Sequence, residues 1–243
     1  MEELLFLAHR IPFPPNKGDK IRSFNALRFL SRHYRVHVGA FVDDPLDWQR
    51  ADELKALCGE TYFVGMSRRV ATLRAMAGFA TGQALTLPYY RDRSMAAWVD
   101  DILARRPIKA VFVYSAAMAQ YIEAARGIGR LIDFVDVDSD KWRQYKESLH
   151  GLKKWVYGRE ADRLLDYERH AAKFADASFF VSAAEAALFR RLAPESASRI
   201  THYNNGVDLE YFSPDLRCES PYAADQKAVV FTGAMDYWPN VDA

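Results

Sequence analysis

Leu4 to Ser23 reads LLFLAHRIPFPPNKGDKIRS, and its two parts obey different rules. Leu4 to Ala8 is an apolar run of strand length, preceded by Glu2 and Glu3 and closed by His9 and Arg10. It is too short and wrongly flanked for a membrane span or a signal peptide, so it reads as a buried first strand. A long loop follows from His9 to Ser23, with three prolines at its entry and Gly18 just ahead of a helix expected to begin near Lys20. Proline stiffens the approach, and glycine lets the backbone bend close to a ligand.

Working outward, the same grammar repeats. Val36 to Val42, Thr61 to Val64, Ala110 to Tyr114, Leu131 to Val135, Ser178 to Val181 and Ile200 to Tyr203 are short apolar runs, most of them separated by amphipathic stretches. Continuous apolar strands alternating with helices predict a parallel sheet covered on both faces, hence an α/β, doubly wound, mainly parallel fold. Ligands of such sheets bind outside the carboxyl ends of the strands. The loops after Ala8, Tyr114, Val135, Val181 and Tyr203 are therefore the ones to read, and Tyr114 and Ser115 enter the candidate substrate-binding set by position.

The chain has 243 residues, half of them apolar, with 33 basic and 32 acidic side chains. That length buries a sizeable core, and the near-zero net charge gives no sign of a nucleic-acid binder. Its two cysteines, Cys58 and Cys218, lie far apart without a CxxC. This argues against a disulfide framework and a zinc site and makes a reducing cytoplasm the default location.

Two loops carry candidate chemistry. At the start of the first helix, unpaired N–H groups can hold a phosphate, and Gly18, Asp19, Lys20 and Arg22, with Lys17 beside them, form a candidate anion cradle. The competing reading is that Gly18 and Asp19 only end a turn and cap a helix while the cations sit in solvent. Glycines are missing at the offsets a dinucleotide fingerprint requires. The second loop, DFVDVDSDKW, sets Asp133, Asp136, Asp138 and Asp140 within eight residues. If the strand runs on through Asp138, alternation puts Asp136 and Asp138 on one side, where paired carboxylates can share a proton, bind a cation or hold sugar hydroxyls. Asp136 and Asp138 are thus the candidate catalytic pair and Ser139 a candidate binder. The alternative is that Ser139 or Asp140 caps a helix.

Gly151 to Phe174 reads as a long structural helix, with His170 outside the site, and Ser182 with Glu185 as a local capping box. Arg68, Arg69 and Arg74 share a helical segment with Val70, Leu73, Met76 and Phe79, which suits either an anionic membrane surface or an ordinary surface helix. Asn205, Gly206 and Pro214 mark an exit. The expected division is residues 1–214 as a finished amino-terminal domain, 215–227 as a linker, and 228–243 as the first strand and loop of a second domain, opening with VVFTG at Val229 to Gly233.

NNGVDLEYFSP at Asn204 to Pro214, followed by VVFTGAMDYWPN, resembles the crossover between the two Rossmann-like domains of retaining glycosyltransferases of the GT-B fold, family-4 type. PFPPNKGDKIRSFN, DVDSDKW and FVSAAEA look like a narrower group of bacterial sugar transferases associated with exosortase and exopolysaccharide gene clusters. The resemblance implies an acceptor-binding amino-terminal domain, a nucleotide-sugar donor held mostly by a second domain, and catalysis between them. It implies that Gly18 and Asp19 match the glycine loop facing the donor phosphates. It also implies that Asp136 falls near a position often held by histidine, and that neither metal nor other cofactor is needed. The expected acceptor is a glycan or a lipid-linked acceptor at the cytoplasmic face of the membrane, with peripheral contact. The chain alone is expected not to catalyse transfer and to bind donor at best in the millimolar range. Two rivals belong to other classes: a magnesium-dependent phosphatase using the DVDSD loop, and a non-catalytic sugar- or partner-binding half.

Overall fold

The computed structural model describes residues 1–213, 215, 219, 221–223 and 225–230. The seven apolar runs all form strands: β1 Glu3–Ala8, β2 Arg35–Val42, β3 Thr61–Gly65, β4 Ile108–Tyr114, β5 Gly129–Val135, β6 Ala177–Phe180 and β7 Ile200–His202. They make one sheet in the order β3-β2-β1-β4-β5-β6-β7, every neighbour parallel. Strand order reverses beside β1, which leaves a crevice at the carboxyl ends of β1 and β4.

Alternation along the strands builds two cores. Leu5, Leu7, Val111, Val113, Ile132 and Phe134 face one layer, and Leu4, Phe6, Val36, Val38, Phe112 and Tyr114 face the other. Each such side chain contributes about 1.5–3 kcal/mol on leaving water, which is why the runs are apolar on both faces. The helices are α1 Gly18–Leu30, α2 Ala51–Lys55, α3 Arg68–Ala75, α4 Ala77–Thr81, α5 Thr86–Tyr89, α6 Arg93–Arg105, α7 Asp138–Glu147, α8 Gly151–Phe174 and α9 Ala183–Leu192.

Helix α6 shows the local logic. The Asp92 carboxylate accepts the Ser94 and Met95 N–H groups at 2.9 and 3.1 Å, and Met95, Val99 and Ile102 form its buried stripe. It lies so close to β2 that a Cβ on Gly39 would stand 2.7 Å from the Trp98 ring. Only glycine fits that contact.

A compact unit runs from Met1 to Asn205, and residues 206–243 form a second. In the second, the Asp208 carboxylate accepts the Glu210 and Tyr211 N–H groups. Of the strand expected at Val229 to Gly233, Val229 and Val230 are exposed without strand pairing, and the remainder lies outside the described residues. Among the described residues no helix is long and apolar enough to cross a membrane.

Candidate functional site

The carboxyl ends of β1, β4 and β5 open into a cavity of about 530 Å³. Tyr89, Tyr90, Tyr114, Phe134 and Trp142 give it aromatic walls, and His9, Asp19, Asp136, Asp138 and Lys141 line it with charge and protons. The wall at residues 84–86 is tied to α8: the buried Glu160 carboxylate accepts the Leu85 and Thr86 N–H groups at 2.5 and 3.0 Å and the Thr86 hydroxyl at 2.7 Å. A rigid aromatic cavity with a few polar groups is the form that small-molecule sites take.

The aspartate loop is built differently from the expected extended strand. β5 stops at Val135, whose φ of 71° is unusual for a β-branched residue, and the Asp136 N–H bonds back to the Phe134 carbonyl at 3.0 Å, closing a tight turn. Such a conformation costs about 1–3 kcal/mol and persists only where the surroundings enforce it. Here the Asp133 carboxylate accepts the Val135 N–H at 3.1 Å, and the Val135 carbonyl accepts the Val181 N–H at 2.6 Å. Strand alternation therefore does not place the two carboxylates. Asp138 is instead the first residue of α7, and Lys141 joins it to Asp136 with Nζ at 3.2 and 2.6 Å from the two.

Helix α7 has no side-chain cap of its own: Val137 holds the cap position, not Ser139 or Asp140. Two glutamates from other helices replace it. Glu185 of α9 accepts the Val137 N–H at 2.7 Å, and Glu168 of α8 accepts the Ser139 N–H at 3.1 Å and its hydroxyl at 2.5 Å. Ser139 is fully buried, so it supports the turn from below. The Ser182–Glu185 box is half formed, because Ser182 accepts the Glu185 N–H while the Glu185 side chain serves the turn across the sheet. Burial pushes the Glu168 carboxyl up to about 8, with the neighbouring Asp138 adding to the effect. Withdrawal from water also raises the Asp138 carboxyl, against the pull of Lys141.

His9 was not legible as a site residue, although its place directly after β1 was the available signal. Its ring stacks on Tyr114 at 5.7 Å and meets Tyr90 edge-on, and its Nε2 lies 3.7 Å from Asp19. Burial lowers its pKa, with Arg10 acting in the same sense and Asp19 and Asp138 opposing. The imidazole is thus neutral near pH 7 and able to accept a proton. Tyr114 donates to the Asp19 carbonyl at 2.9 Å, and Ser115, at φ 78°, bends the chain at the end of β4.

The candidate cradle is split by the structure. Helix α1 begins at Gly18, with open space around its Cα, and Asp19 faces the cavity while paired with Arg10 at 2.6 Å. Lys20 and Arg22, by contrast, point into the protein. Lys20 is 1% exposed and bonds Asp47 at 2.5 Å. Arg22 grips Asp133 through Nε and Nη2 at 3.0 and 3.2 Å, donates to the Tyr203 carbonyl and Asn205, and lies over the Tyr203 ring. Tyr203 also hydrogen-bonds Asp133. Neither cation is in solvent or open to a phosphate. His170 is exposed and pairs with Glu123.

No protein-family model and no curated protein matches this chain. Solved structures do. Phytolacca americana UGT2, complexed with UDP-2-fluoro-glucose and pterostilbene, aligns with a TM-score of 0.52 at 13% identity, covering 85% of this chain and 54% of its own. TcCGT1 in complex with UDP aligns at 0.46 and 11% identity over 93% and 54%. Glycyrrhiza uralensis UGT73P12, complexed with glycyrrhetinic acid 3-O-monoglucuronide, aligns at 0.45 and 12% over 85% and 49%. The latter two alignments are looser and carry no weight. These proteins are GT-B glycosyltransferases, and the chain spans about half their length. The likeness establishes the fold, a Rossmann-like α/β sheet of the GT-B kind.

Proposed function

We propose that this chain supplies the acceptor-side half of a glycosyltransferase that moves a sugar from a nucleotide-sugar donor to a glycan or lipid-linked acceptor. The observation that carries the reading is the aromatic cavity at the carboxyl ends of β1, β4 and β5, with His9, Asp136, Asp138 and Lys141 gathered in it. Flat aromatic faces suit the faces of sugar rings and apolar aglycones, and carboxylates suit hydroxyls. In transfer the acceptor hydroxyl bonds to the anomeric carbon, the bond to the nucleoside diphosphate breaks, and the hydroxyl proton must leave. Neutral His9 can take that proton, and the Asp136 carboxylate, held by Lys141, can orient the hydroxyl.

The finer assignment follows the sequence resemblance: a retaining family-4 enzyme of bacterial surface polysaccharide synthesis, with donor phosphates approaching the Gly18 end of α1 and no metal. Peripheral membrane contact belongs to the same reading. Val70, Leu73 and Met76 are exposed on α3 and its end, beside the exposed Arg68 and Arg69. Arg74 is excluded from that surface because it pairs with Asp92 and donates to the Tyr89 and Arg91 carbonyls.

The test is sugar transfer by the full chain as its gene encodes it, assayed with a panel of nucleotide sugars for nucleotide release and product anomer. Asp136→Asn and His9→Ala are expected to cut transfer at least about tenfold, equivalent to about 1.4 kcal/mol, with little change in melting temperature. Wild-type rates in both variants would remove the site assignment, and no transfer with any donor would remove the function. The 243-residue chain alone is expected to bind donor no tighter than the millimolar range.

A further inference from the structure

Outside that cavity, α7 and α8 enclose a second groove of about 680 Å³. Its lining is strongly basic. Lys146 comes from α7, while Lys154, Arg159 and Arg163 come from α8, with Asp162 as the one acidic side chain of the lining. Arg163 is already neutralised by Asp166 at 3.6 Å. Lys146 and Lys154 are half-buried and make no ion pair among the described residues.

Two further features separate this groove from an ordinary solvated helix face. Arg159 donates through Nη2 to the Gly78 carbonyl at 2.7 Å and rests over the Phe79 ring, but its Nη1 is buried without a hydrogen-bond partner among the described residues. A buried cationic N–H with nothing to bond carries a desolvation cost. Gly158, in the middle of α8, sits under Lys146: an added Cβ would stand 3.2 Å from the Lys146 Cδ and Cε. Glycine within a helix costs about 1 kcal/mol relative to alanine, and here it lets the lysine stem cross the helix. Trp155, 58% exposed and stacked on Phe79, offers a flat face beside the cations.

We propose that the α7–α8 groove binds a phosphate- or pyrophosphate-bearing ligand, with Lys146, Lys154 and Arg159 on the phosphate oxygens and Trp155 covering the adjoining group. Lysine ammoniums act as point charges, and the fixed guanidinium supplies a directed N–H. This binding is independent of sugar transfer, so its failure leaves the proposed function standing.

Isothermal titration of the chain with inorganic pyrophosphate at low salt is the test. The wild type is expected to bind, and Lys146→Gln/Lys154→Gln to lose at least about tenfold in affinity, or about 1.4 kcal/mol, while Lys55→Gln on distant α2 keeps it. Absence of binding by the wild type, or wild-type affinity in the double-lysine variant, would overturn the proposal. Phosphatidylcholine vesicles with and without phosphatidic acid separate the sources. Pyrophosphate-competed binding to the phosphatidic acid vesicles supports a lipid headgroup as the natural ligand, and pyrophosphate binding without vesicle binding supports a soluble or sugar-linked phosphate.

Discussion

The cations at the start of α1 and those of α7 and α8 are alike in sequence and opposite in state. Lys20 and Arg22 look like free charges near a loop, yet each is buried against a carboxylate, Asp47 and Asp133, 27 and 111 residues away along the chain. Lys154 looks like part of a long structural helix, yet it and Lys146 of α7 face an open groove. Spacing identifies a cation's neighbours within its own element. It does not identify a counter-ion delivered by another strand or turn, and that partner decides whether the charge is structural or available.

This contrast can be broken most severely at Arg22. Replacing it with alanine leaves Asp133 buried without its partner and should cost about 3–5 kcal/mol in urea unfolding. A loss below about 1 kcal/mol, the level of an exposed pair, would return Arg22 to the anion cradle. Lys20→Ala should follow at about 3 kcal/mol, whereas Lys20→Met with Asp47→Leu, which removes both charges, should be close to neutral. If the double variant is as unstable as the single one, burial of an uncompensated charge is not the cause.

A smaller effect sharpens the comparison on the acidic side. Glu168 has its carboxyl pushed up to about 8 in the folded protein, above its ordinary value of 4.5. A group raised in this way contributes stability that is complete below the unfolded pKa and is lost as pH rises through the folded value. Wild-type stability should therefore decline from about pH 5 to pH 8, and Glu168→Gln should flatten that slope. An unchanged slope in the variant would place the titrating group elsewhere. Smallest of all, Lys154→Gln should change unfolding free energy by no more than about 0.5 kcal/mol. A larger loss would mean that this lysine is structural after all.

The strands were readable because a parallel sheet buried on both faces demands unbroken apolar runs, and all seven runs became strands within about two residues. Helix α8 was readable over its whole length, Gly151–Phe174, for the same reason of periodicity. Asp136 and Asp138 were readable as a candidate pair from their position after a strand, and both do line the cavity. Their geometry was not readable. A positive φ at Val135, held by its N–H donating to Asp133 and its carbonyl accepting from Val181, has no signature in a valine. Nor does sequence show that α7 is capped by Glu168 and Glu185 from two other helices, or that His9 stacks between Tyr90 and Tyr114.

The amino-acid order by itself determined the layer architecture, the direction of the sheet and the end of it where a ligand would bind. Those properties follow from local periodicity and from the right-handed crossover that connects parallel strands. Only the tertiary structure decided which charges are open, which carboxylates share a lysine, and which imidazole lies neutral in the cavity. Desolvation and ion pairing depend on distance in space, and the chain brings together groups that are remote along it.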